Sequence, residues 1–147
     1  MHARTESVLA TLRGCPALAR VDADGLRLLA EMGDEERYET GEVVVAKGER
    51  AERVAIVATG RLSVHVDDRA EATRVLEPGA LFGEYGMFAG GVRTATVRAV
   101  EPTVLHSFPY DRFRAFLTSF PQALLVLMEQ AVRRLRDCEA RLEARRE

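Results

Sequence analysis

Six short runs of β-branched and aliphatic residues, separated by glycines, constrain the fold of this chain most strongly. The runs are VVVA (43–46), VAIVAT (54–59), LSVHV (62–66), TRVL (73–76), TATVRAV (94–100) and TVLHSF (103–108), and the glycines are Gly41, Gly48, Gly60 and Gly79. Short strands with regularly spaced turn residues are typical of an antiparallel sandwich or roll. We therefore predict such a β region over residues 36–109, with a hairpin turn at Asp67–Asp68.

Helical patterns precede this β region, in residues 1–33. A first short helix is predicted over Glu6–Leu12, and Asp22 is a suitable N-cap for a second one. The expected apolar face of the second helix comprises Leu26, Leu28, Leu29 and Met32. Gly33 fits the end of that helix.

Residues 110–147 are also predicted to be helical, with a short helix over Tyr110–Leu117 and a long helix that starts at Pro121. The long helix carries apolar residues at alternating spacings of four and three, the pattern of a coiled-coil seam. The seam residues are Leu124, Met128, Ala131, Leu135, Cys138 and Leu142. Leu125 and Val132 are expected to widen this stripe so that it also rests on the strands. The whole chain, 1–147, is predicted to be one domain of mainly β, α+β class.

Two interpretations of the seam remain open. It either pairs with a second copy in a parallel homodimer, which we favour, or packs on the β region of its own chain. The charges around the seam are balanced, because six arginines face five acidic residues from Glu129 onward. Many of them lie four residues apart, as Asp137 and Arg141 do, and can form ion pairs within the helix. A solvated helix surface is therefore expected.

Composition excludes several classes of protein. Apolar residues make up 47% and charged residues 30% of the 147 residues, which is ordinary for a globular domain and argues against disorder. The formal net charge is −2, so nothing in the overall charge favours nucleic acid or an anionic membrane. The sequence also offers no recognition helix, and we expect no direct DNA binding.

Cysteine and histidine patterns point to neither a metal site nor catalysis. The two cysteines, Cys15 and Cys138, lack the spacing of a zinc site, and free thiols in a reducing cytoplasm are expected. No run of 18 apolar residues predicts a membrane span. The histidines are isolated and no nucleophile has a glycine-elbow context, so we expect no enzyme, no metal and no cofactor.

One segment, FGEYGMFAGGVRTATV (82–97), has the features of an anion-binding cradle. Free backbone N–H groups at a helix start attract phosphate, and arginine offers a planar fork that suits phosphate oxygens. Glu84 is an acceptor for a sugar hydroxyl, and the nearby glycines allow close approach of the backbone to a ligand. The alternative is that Glu84 and Arg93 form a surface ion pair while the glycines only make corners.

The same segment resembles the phosphate-binding cassette of the cyclic nucleotide-binding domain family, which includes bacterial catabolite activators, kinase regulatory subunits and nucleotide-gated channels. Phe82-Gly83-Glu84 and Arg93-Thr94-Ala95-Thr96-Val97 fit the family pattern without insertion or deletion. Further matches are Tyr38, Gly41, Glu42, the Lys47–Glu49 turn, Gly60 and Pro78-Gly79. We call residues 82–97 the cassette. The resemblance implies an antiparallel β-roll, or jelly roll, with N-terminal helices, a short cassette helix and a long C-terminal helix.

The resemblance also implies a role for each cassette residue. The carboxylate of Glu84 corresponds to the one that binds the ribose 2′-hydroxyl, with the backbone of Gly83 helping, and Arg93 to the arginine that pairs with the cyclic phosphate. Backbone N–H groups at Gly86 and Thr94 correspond to further phosphate contacts, and Ala95 belongs to the same ligand-binding set. A threonine at the position of Thr94 is frequent in members that favour cGMP, although it also simply suits the start of a strand.

Three residues depart from the family pattern: Tyr85, Gly86 and Val92. None of them removes a ligand-contacting side chain. Gly86 lowers helix propensity by about 1 kcal/mol relative to alanine. Together with Gly90 and Gly91 it predicts a looser cassette.

The sequence therefore predicts a non-enzymatic receptor for cAMP or cGMP that signals to an unknown effector protein through its C-terminal helix. In the family this helix often covers the base, and the candidates for that lid are Arg134, Leu135 and Leu142. Two alternatives stay open: a nucleotide-independent dimeric scaffold with a vestigial pocket, and the sensor half of a transcription regulator of the catabolite activator type.

Overall fold

The computed structural model describes residues 2–67 and 71–146. Its first part comprises helix α1 (His2–Arg13), a 3-10 turn (Pro16–Leu18) and helix α2 (Ala23–Met32). Asp22 caps α2 as predicted, because its side chain accepts a hydrogen bond from the Gly25 N–H at 2.8 Å. Gly33 ends α2 as predicted, with an extended backbone that leads directly into a strand.

Only part of the predicted apolar face of α2 is buried. Leu26 and Leu29 lie in the core and Met32 is half-buried, whereas Leu28 is 49% exposed. The prediction for Leu28 was wrong because, at 3.6 residues per turn, two positions from Leu26 lead to the other side of the helix.

Eight strands form the roll in the described part of the chain. They are β1 (Asp34–Tyr38), β2 (Val43–Val45), β3 (Arg53–Thr59), β4 (Leu62–His65), β5 (Arg74–Leu76), β6 (Leu81–Phe82), β7 (Thr96–Ala99) and β8 (Thr103–Pro109). They make two four-stranded sheets, with strand orders β1-β8-β3-β6 and β2-β7-β4-β5. Every strand pairing is antiparallel, and all six predicted runs contain a strand. The antiparallel roll with flanking helices is confirmed.

Two of the strands, β1 and β6, were not predicted. The sequence of β1, DEERY, has no apolar alternation, but it pairs with β8 from Asp34–Ser107 to Tyr38–Thr103. The roll therefore begins at residue 34 rather than 36. Strand β6 has only two residues, and it pairs with β3 at Ala55–Phe82. In both cases the backbone of a neighbouring strand, rather than the side-chain pattern, defines the strand.

The predicted hairpin joins β4 to β5, which pair from Leu62–Leu76 to Val64–Arg74. Asp68, the second residue of the predicted turn, lies outside the described residues, and the turn itself stays a prediction.

Strand β3 separates two apolar cores. Val54 and Ile56 face the helices, where they pack with α1, α2 and the aromatic residues of the C-terminal part. Ala55 and Val57 face the space between the two sheets. A strand that is buried on both faces reads as a continuous apolar run, which is why β3 is so conspicuous in the sequence.

The short helix α3 (Glu84–Ala89) lies between β6 and β7, and two helices complete the chain: α4 (Tyr110–Ser119) and α5 (Pro121–Arg146). Helix α4 extends two residues beyond its predicted end, and α5 starts at Pro121 as predicted. The buried residues of α5 are Ala123, Val126 and Leu127. Leu125 and Val132 are 53% and 50% exposed, so the prediction that they rest on the strands was wrong. The face of α5 that packs against the rest of the chain is the one that carries Ala123, Val126 and Leu127.

The predicted seam of α5 is mostly uncovered in this single chain. Leu124 packs partly against the helical core. Met128, Leu135 and Leu142 are 56%, 58% and 56% exposed, and every residue from Ala131 to Arg146 is exposed. The alternative in which the seam packs on the roll of its own chain is therefore wrong for every seam residue except Leu124.

Within residues 2–67 and 71–146, no single helix is long and apolar enough to cross a membrane. Helices α4 and α5 meet that test only when taken together, by length and composition, and they are bent by 108° at their junction.

Candidate functional site

The cassette is built around Gly83, which lies between strand β6 and the short helix α3 (Glu84–Ala89). Gly83 has a φ of 90°, in the left-handed region. A Cβ at this position would lie 2.8 Å from the Arg53 carbonyl oxygen and 2.6 Å from Arg93 Nη1. Glycine is therefore required both by the turn and by the close approach of Arg93.

Glu84, the first residue of α3, is an unusual buried acid. It is 6% exposed, and its Oε1 lies 3.5 Å from Nη1 of Arg134 on α5. Its Oε2 has no hydrogen-bond partner among the described residues. Burial raises the pKa of Glu84, while its own backbone N–H and the charges of Arg134 and Arg74 oppose that rise. A buried acceptor without a donor indicates a place for a hydroxyl or amide from outside the chain.

Arg93 is held by its backbone and only loosely by its side chain. Its N–H donates to the Glu49 carbonyl at 2.8 Å, and its own carbonyl accepts from the Gly48 N–H at 2.9 Å. The guanidinium donates from Nη2 to the Arg53 carbonyl at 3.2 Å. The alternative of a surface ion pair between Glu84 and Arg93 is wrong, because Glu84 is buried and its ion pair is with Arg134.

A cavity of about 570 Å³ opens beside the cassette. This size is within the usual range for small-ligand sites. All six predicted ligand-binding residues line it: Gly83, Glu84, Gly86, Arg93, Thr94 and Ala95. Apolar walls come from the roll, including Val64, Val66 and Val97. The structure thus brings the predicted set together around one space.

Helix α5 closes one side of this cavity. Arg134, Cys138 and Arg141 line it, at spacings of four and three residues on one helix face. Arg134 is the only one of the three predicted lid residues in the lining. Leu135 and Leu142 do not line it, since each lies about 100° further round the helix than a lining residue, and their role in a lid stays a prediction. Cys138, which was predicted for the seam, lies at the border between the seam and the face of α5 that lines the cavity.

Arg134 is anchored to two neighbouring cassette residues. Besides its ion pair with Glu84, its Nη1 donates to the Tyr85 hydroxyl oxygen at 2.6 Å. Its guanidinium carbon also lies 5.7 Å from the centre of the Tyr85 ring, within the range of a cation–π contact. Tyr85, a departure from the family pattern, thus supplies a contact to α5 that the sequence analysis did not anticipate.

The cyclic nucleotide-binding domain family matches residues 35–120, which is more than half of the chain. The chain belongs to this family. It is 30% identical over 105 residues to the cAMP-activated global transcriptional regulator CRP of Pasteurella multocida, covering 69% of this chain and 50% of that protein. It is 29% identical over 128 residues to the cyclic nucleotide-gated channel alpha-4 of Mus musculus, covering 83% and 22%. The chain therefore spans half or less of these two relatives.

The fold of this cyclic nucleotide-binding domain is also close to a solved structure. The catabolite activator protein of Thermus thermophilus superposes with a TM-score of 0.80 at 24% identity, covering 87% of this chain and 62% of that one. At this identity the likeness establishes the fold alone.

The domain's cassette is tighter at Gly86 than predicted. A Cβ on Gly86 would lie 2.5 Å from the Tyr110 hydroxyl oxygen and 2.7 Å from Ala51 Cβ. The Tyr110 hydroxyl donates to the Gly83 carbonyl. At the other end of α3, Arg114 Nη2 donates to the Met87 carbonyl at 3.2 Å. The expectation of a loose cassette was wrong at Gly86, since helix α4 holds both ends of α3. Among the four glycines of the cassette, Gly90 and Gly91 have open space around a Cβ, whereas Gly83 and Gly86 do not.

Several lining residues of the domain were missed by sequence analysis. The charged ones are Arg74 on β5 and Arg141 on α5. The signal for Arg74 was strand alternation, because it lies two residues from the buried Leu76 on β5. The signal for Arg141 was its spacing of seven residues from Arg134. Within the described part of the chain, no three His, Cys, Asp or Glu side chains form a group that could hold a metal ion.

Proposed function

We propose that this chain is a non-enzymatic receptor that binds a cyclic mononucleotide, cAMP or cGMP, in the 570 Å³ cavity and passes the signal on through helix α5. Membership of the family supports the ligand class. The names of the two relatives, a cAMP-activated regulator and a nucleotide-gated channel, support a regulatory role.

The observation that carries the proposal is the buried Oε2 of Glu84, which accepts no hydrogen bond from the described residues. Glu84 and Arg93 line the same cavity. A ribose 2′-hydroxyl supplies that donor. Arg93 exchanges the Arg53 carbonyl for the oxygens of the cyclic phosphate, which are charged and therefore better acceptors. Backbone N–H groups of Gly86 and Thr94 complete the phosphate contacts, and Gly83 and Ala95 let the ligand approach closely.

Isothermal titration calorimetry of the purified chain with cAMP and cGMP tests this proposal. We expect binding of at least one nucleotide and a loss of at least tenfold in affinity for Arg93→Ala, since a hydrogen bond to a charged group contributes about 1.5–3 kcal/mol. The matched control is Arg98→Ala, which removes an exposed arginine of strand β7 that does not line the cavity. Binding that survives in Arg93→Ala, or equal losses in both variants, would contradict the assigned pose.

Signal output is proposed to use the contact between Arg134 and Glu84. Ligand binding at Glu84 changes the strength of this ion pair, and the exposed part of α5 changes its position as a shift between two populations. The effector is a protein that binds α5 and responds to its position. We also propose that the receptor is cytoplasmic, since a reducing compartment is where free thiols are expected.

We also propose that α5 mediates a parallel homodimer, because the seam residues Met128, Leu135 and Leu142 are large, apolar and more than half exposed. Cys138, exposed in the same seam, offers a crosslinking site close to the dimer axis. Light scattering should give twice the 16.3 kDa mass of the chain, and oxidation should link two copies through Cys138. A monomer mass together with no crosslink would refute the dimer.

A second candidate function is a nucleotide-independent scaffold. The observation that favours it is the contact of Arg134 with Glu84 and Tyr85, because these side chains of the chain itself join α5 to the cassette. If neither nucleotide binds while the dimer forms, this candidate replaces the first. We further propose that the chain makes no direct DNA contact, so that a role as the sensor half of a transcription regulator needs a separate DNA-binding unit.

A further inference from the structure

The charges that line the cavity do not balance. Its described lining contains four arginines and one acidic residue: Arg74, Arg93, Arg134, Arg141 and Glu84. Arg134 and Glu84 form an ion pair with each other, and the proposed function assigns Arg93 to the cyclic phosphate. A cyclic mononucleotide carries one phosphate, so it provides no anionic partner for Arg74 and Arg141.

Arg74 reaches the cavity from the roll. Val64 of β4 pairs with Val97 of β7 on one side and with Arg74 of β5 on the other. Directly paired residues of antiparallel strands have their side chains on the same face. Val64 and Val97 are buried in the core between the sheets, so Arg74 stands on the inner face of its sheet. Strands β7, β4 and β5 are consecutive, which places Arg74 two strand spacings, about 10 Å, from Val97.

Arg141 reaches the same cavity from helix α5. It lies two helical turns beyond Arg134, about 10 Å further along the axis from the ion pair with Glu84. Its Nε donates to the Asp137 carbonyl at 3.4 Å, and its other N–H groups have no partner among the described residues. No carboxylate in the described part of the chain lies within the 4 Å ion-pair distance of Arg74 or Arg141.

Two guanidiniums on different walls of one cavity suit a phosphate group. Each is a planar, permanently charged fork that can donate two parallel hydrogen bonds to phosphate oxygens. An excess of positive charge in a cleft also raises the local concentration of anions. The unpaired charges of Arg74 and Arg141 therefore favour an anion away from the cassette, in addition to the one at Arg93.

We infer that Arg74 and Arg141 form a second phosphate subsite in the cavity, separate from the cassette. This inference rests on the proposed function, which places the first phosphate at Arg93. The second phosphate is either part of the same ligand, as in a cyclic dinucleotide, or an inorganic phosphate bound beside a cyclic mononucleotide. The competing explanation for Arg74 is protective, because β5 is an edge strand and an inward-pointing charge discourages pairing with another chain. That explanation requires no effect on ligand binding.

Calorimetric titration of the full chain with matched ligands tests the inference. Cyclic di-GMP and cyclic di-AMP carry two phosphates, whereas cGMP and cAMP carry one phosphate with the same base. The linear dinucleotide GpG carries two guanines and one phosphate, so it separates the effect of a second phosphate from that of a second base. If the second phosphate belongs to the ligand, at least one cyclic dinucleotide should bind about tenfold or more tightly than its mononucleotide, and cyclic di-GMP more tightly than GpG.

The second source of phosphate has its own titration. If the subsite takes inorganic phosphate, adding it at constant ionic strength should raise the affinity of the chain for cGMP or cAMP. In either case Arg74→Ala and Arg141→Ala should each reduce the gain from the second phosphate about tenfold, with little change for a mononucleotide alone. The matched controls are Arg98→Ala on β7 and Arg136→Ala on α5, which remove exposed arginines outside the described lining and should leave every affinity unchanged.

Several outcomes would overturn the inference. Equal losses for ligands with one and two phosphates in Arg74→Ala would show a general electrostatic effect. GpG that binds as tightly as cyclic di-GMP would assign the gain to the second base. If a mononucleotide binds but neither source of a second phosphate adds affinity, the inference fails while the proposed function stands. If no nucleotide binds, both fail. If only cyclic dinucleotides bind, and Arg74→Ala weakens them, the subsite is supported and the assignment of a mononucleotide fails.

Discussion

Replacing Gly86 by alanine tests how tightly the cassette is held. Helix propensity alone predicts that Gly86→Ala stabilises the domain, by at most about 1 kcal/mol. The structure predicts the opposite sign. The new Cβ would lie 2.5 Å from the Tyr110 hydroxyl oxygen and 2.7 Å from Ala51 Cβ. The Ala51 Cβ cannot yield without backbone movement, and the Ala51 N–H is bound to the Gly91 carbonyl at 2.6 Å.

The expected size of the effect follows from these contacts. Overpacking costs about 1–3 kcal/mol, and displacement of Tyr110 from the Gly83 carbonyl costs about 0.5–1.5 kcal/mol more. After a propensity gain of about 1 kcal/mol is subtracted, Gly86→Ala should lower the free energy of unfolding by about 0.5–3.5 kcal/mol. Urea denaturation followed by circular dichroism measures this directly. Gly91→Ala is the matched control, because nothing lies within 4 Å of a Cβ there.

A double-mutant cycle identifies the cause. Tyr110→Phe removes the oxygen that alanine would meet, so Gly86→Ala should cost less in that background than in the wild type. The contact with Ala51 remains in both backgrounds and accounts for the residual cost. A stabilising Gly86→Ala would refute the packing argument and restore the prediction of a loose cassette. A cost that is identical in the two backgrounds would show that the Tyr110 oxygen contributes nothing to it.

The remaining predictions concern the ionisation of Glu84. Because the pKa of Glu84 is raised, nucleotide affinity should fall as the pH is lowered through that pKa. Affinity measured over a series of pH values should not show this fall for Glu84→Gln. The stability of the unliganded chain should change in the other direction: since the folded pKa lies above the unfolded one, the free energy of unfolding should fall as the pH rises through it. Arg134→Ala removes a positive charge 3.5 Å from the carboxylate and should move the midpoint of the affinity profile to higher pH. Arg133→Ala, one position away on α5, should not move this midpoint. An equal shift in both variants would contradict the assignment of the effect to the ion pair between Arg134 and Glu84.

The roll was predictable from sequence where side-chain pattern and backbone pairing agree. Strand β3 is buried on both faces, and the sequence shows this as an uninterrupted apolar run. Strand β1 has the opposite character: its charged residues form a strand only because β8 offers a free edge for pairing. A single sequence contains no signal for that pairing, since the information lies in β8, which is about 70 residues further along the chain.

The cassette residues were predictable for a different reason. Gly83 to Ala95 are close in sequence, so one local motif carries the turn, the acid and the arginine together. The contributions from β5 and α5 were harder to predict. The apolar stripe of α5 predicted a seam, and the two lid candidates of that stripe, Leu135 and Leu142, are exposed and do not line the cavity. Charged residues on the adjacent face line the cavity instead, because α5 meets the cassette through Arg134, which is paired with a buried acid.

The two oxygens of Glu84 explain how ligand binding and helix position can be linked without competition. Oε1 already faces Arg134, whereas Oε2 has no partner among the described residues. A hydroxyl that donates to Oε2 favours the charged carboxylate and so lowers the pKa that burial has raised. A carboxylate that stays charged attracts Arg134 more strongly, and α5 is held more firmly over the cavity. Since such coupling is reciprocal, a helix held by Arg134 must in turn tighten the binding of the ligand. The tyrosine beside Glu84 adds a second contact to the same guanidinium, so the departure from the family pattern at Tyr85 reinforces this link.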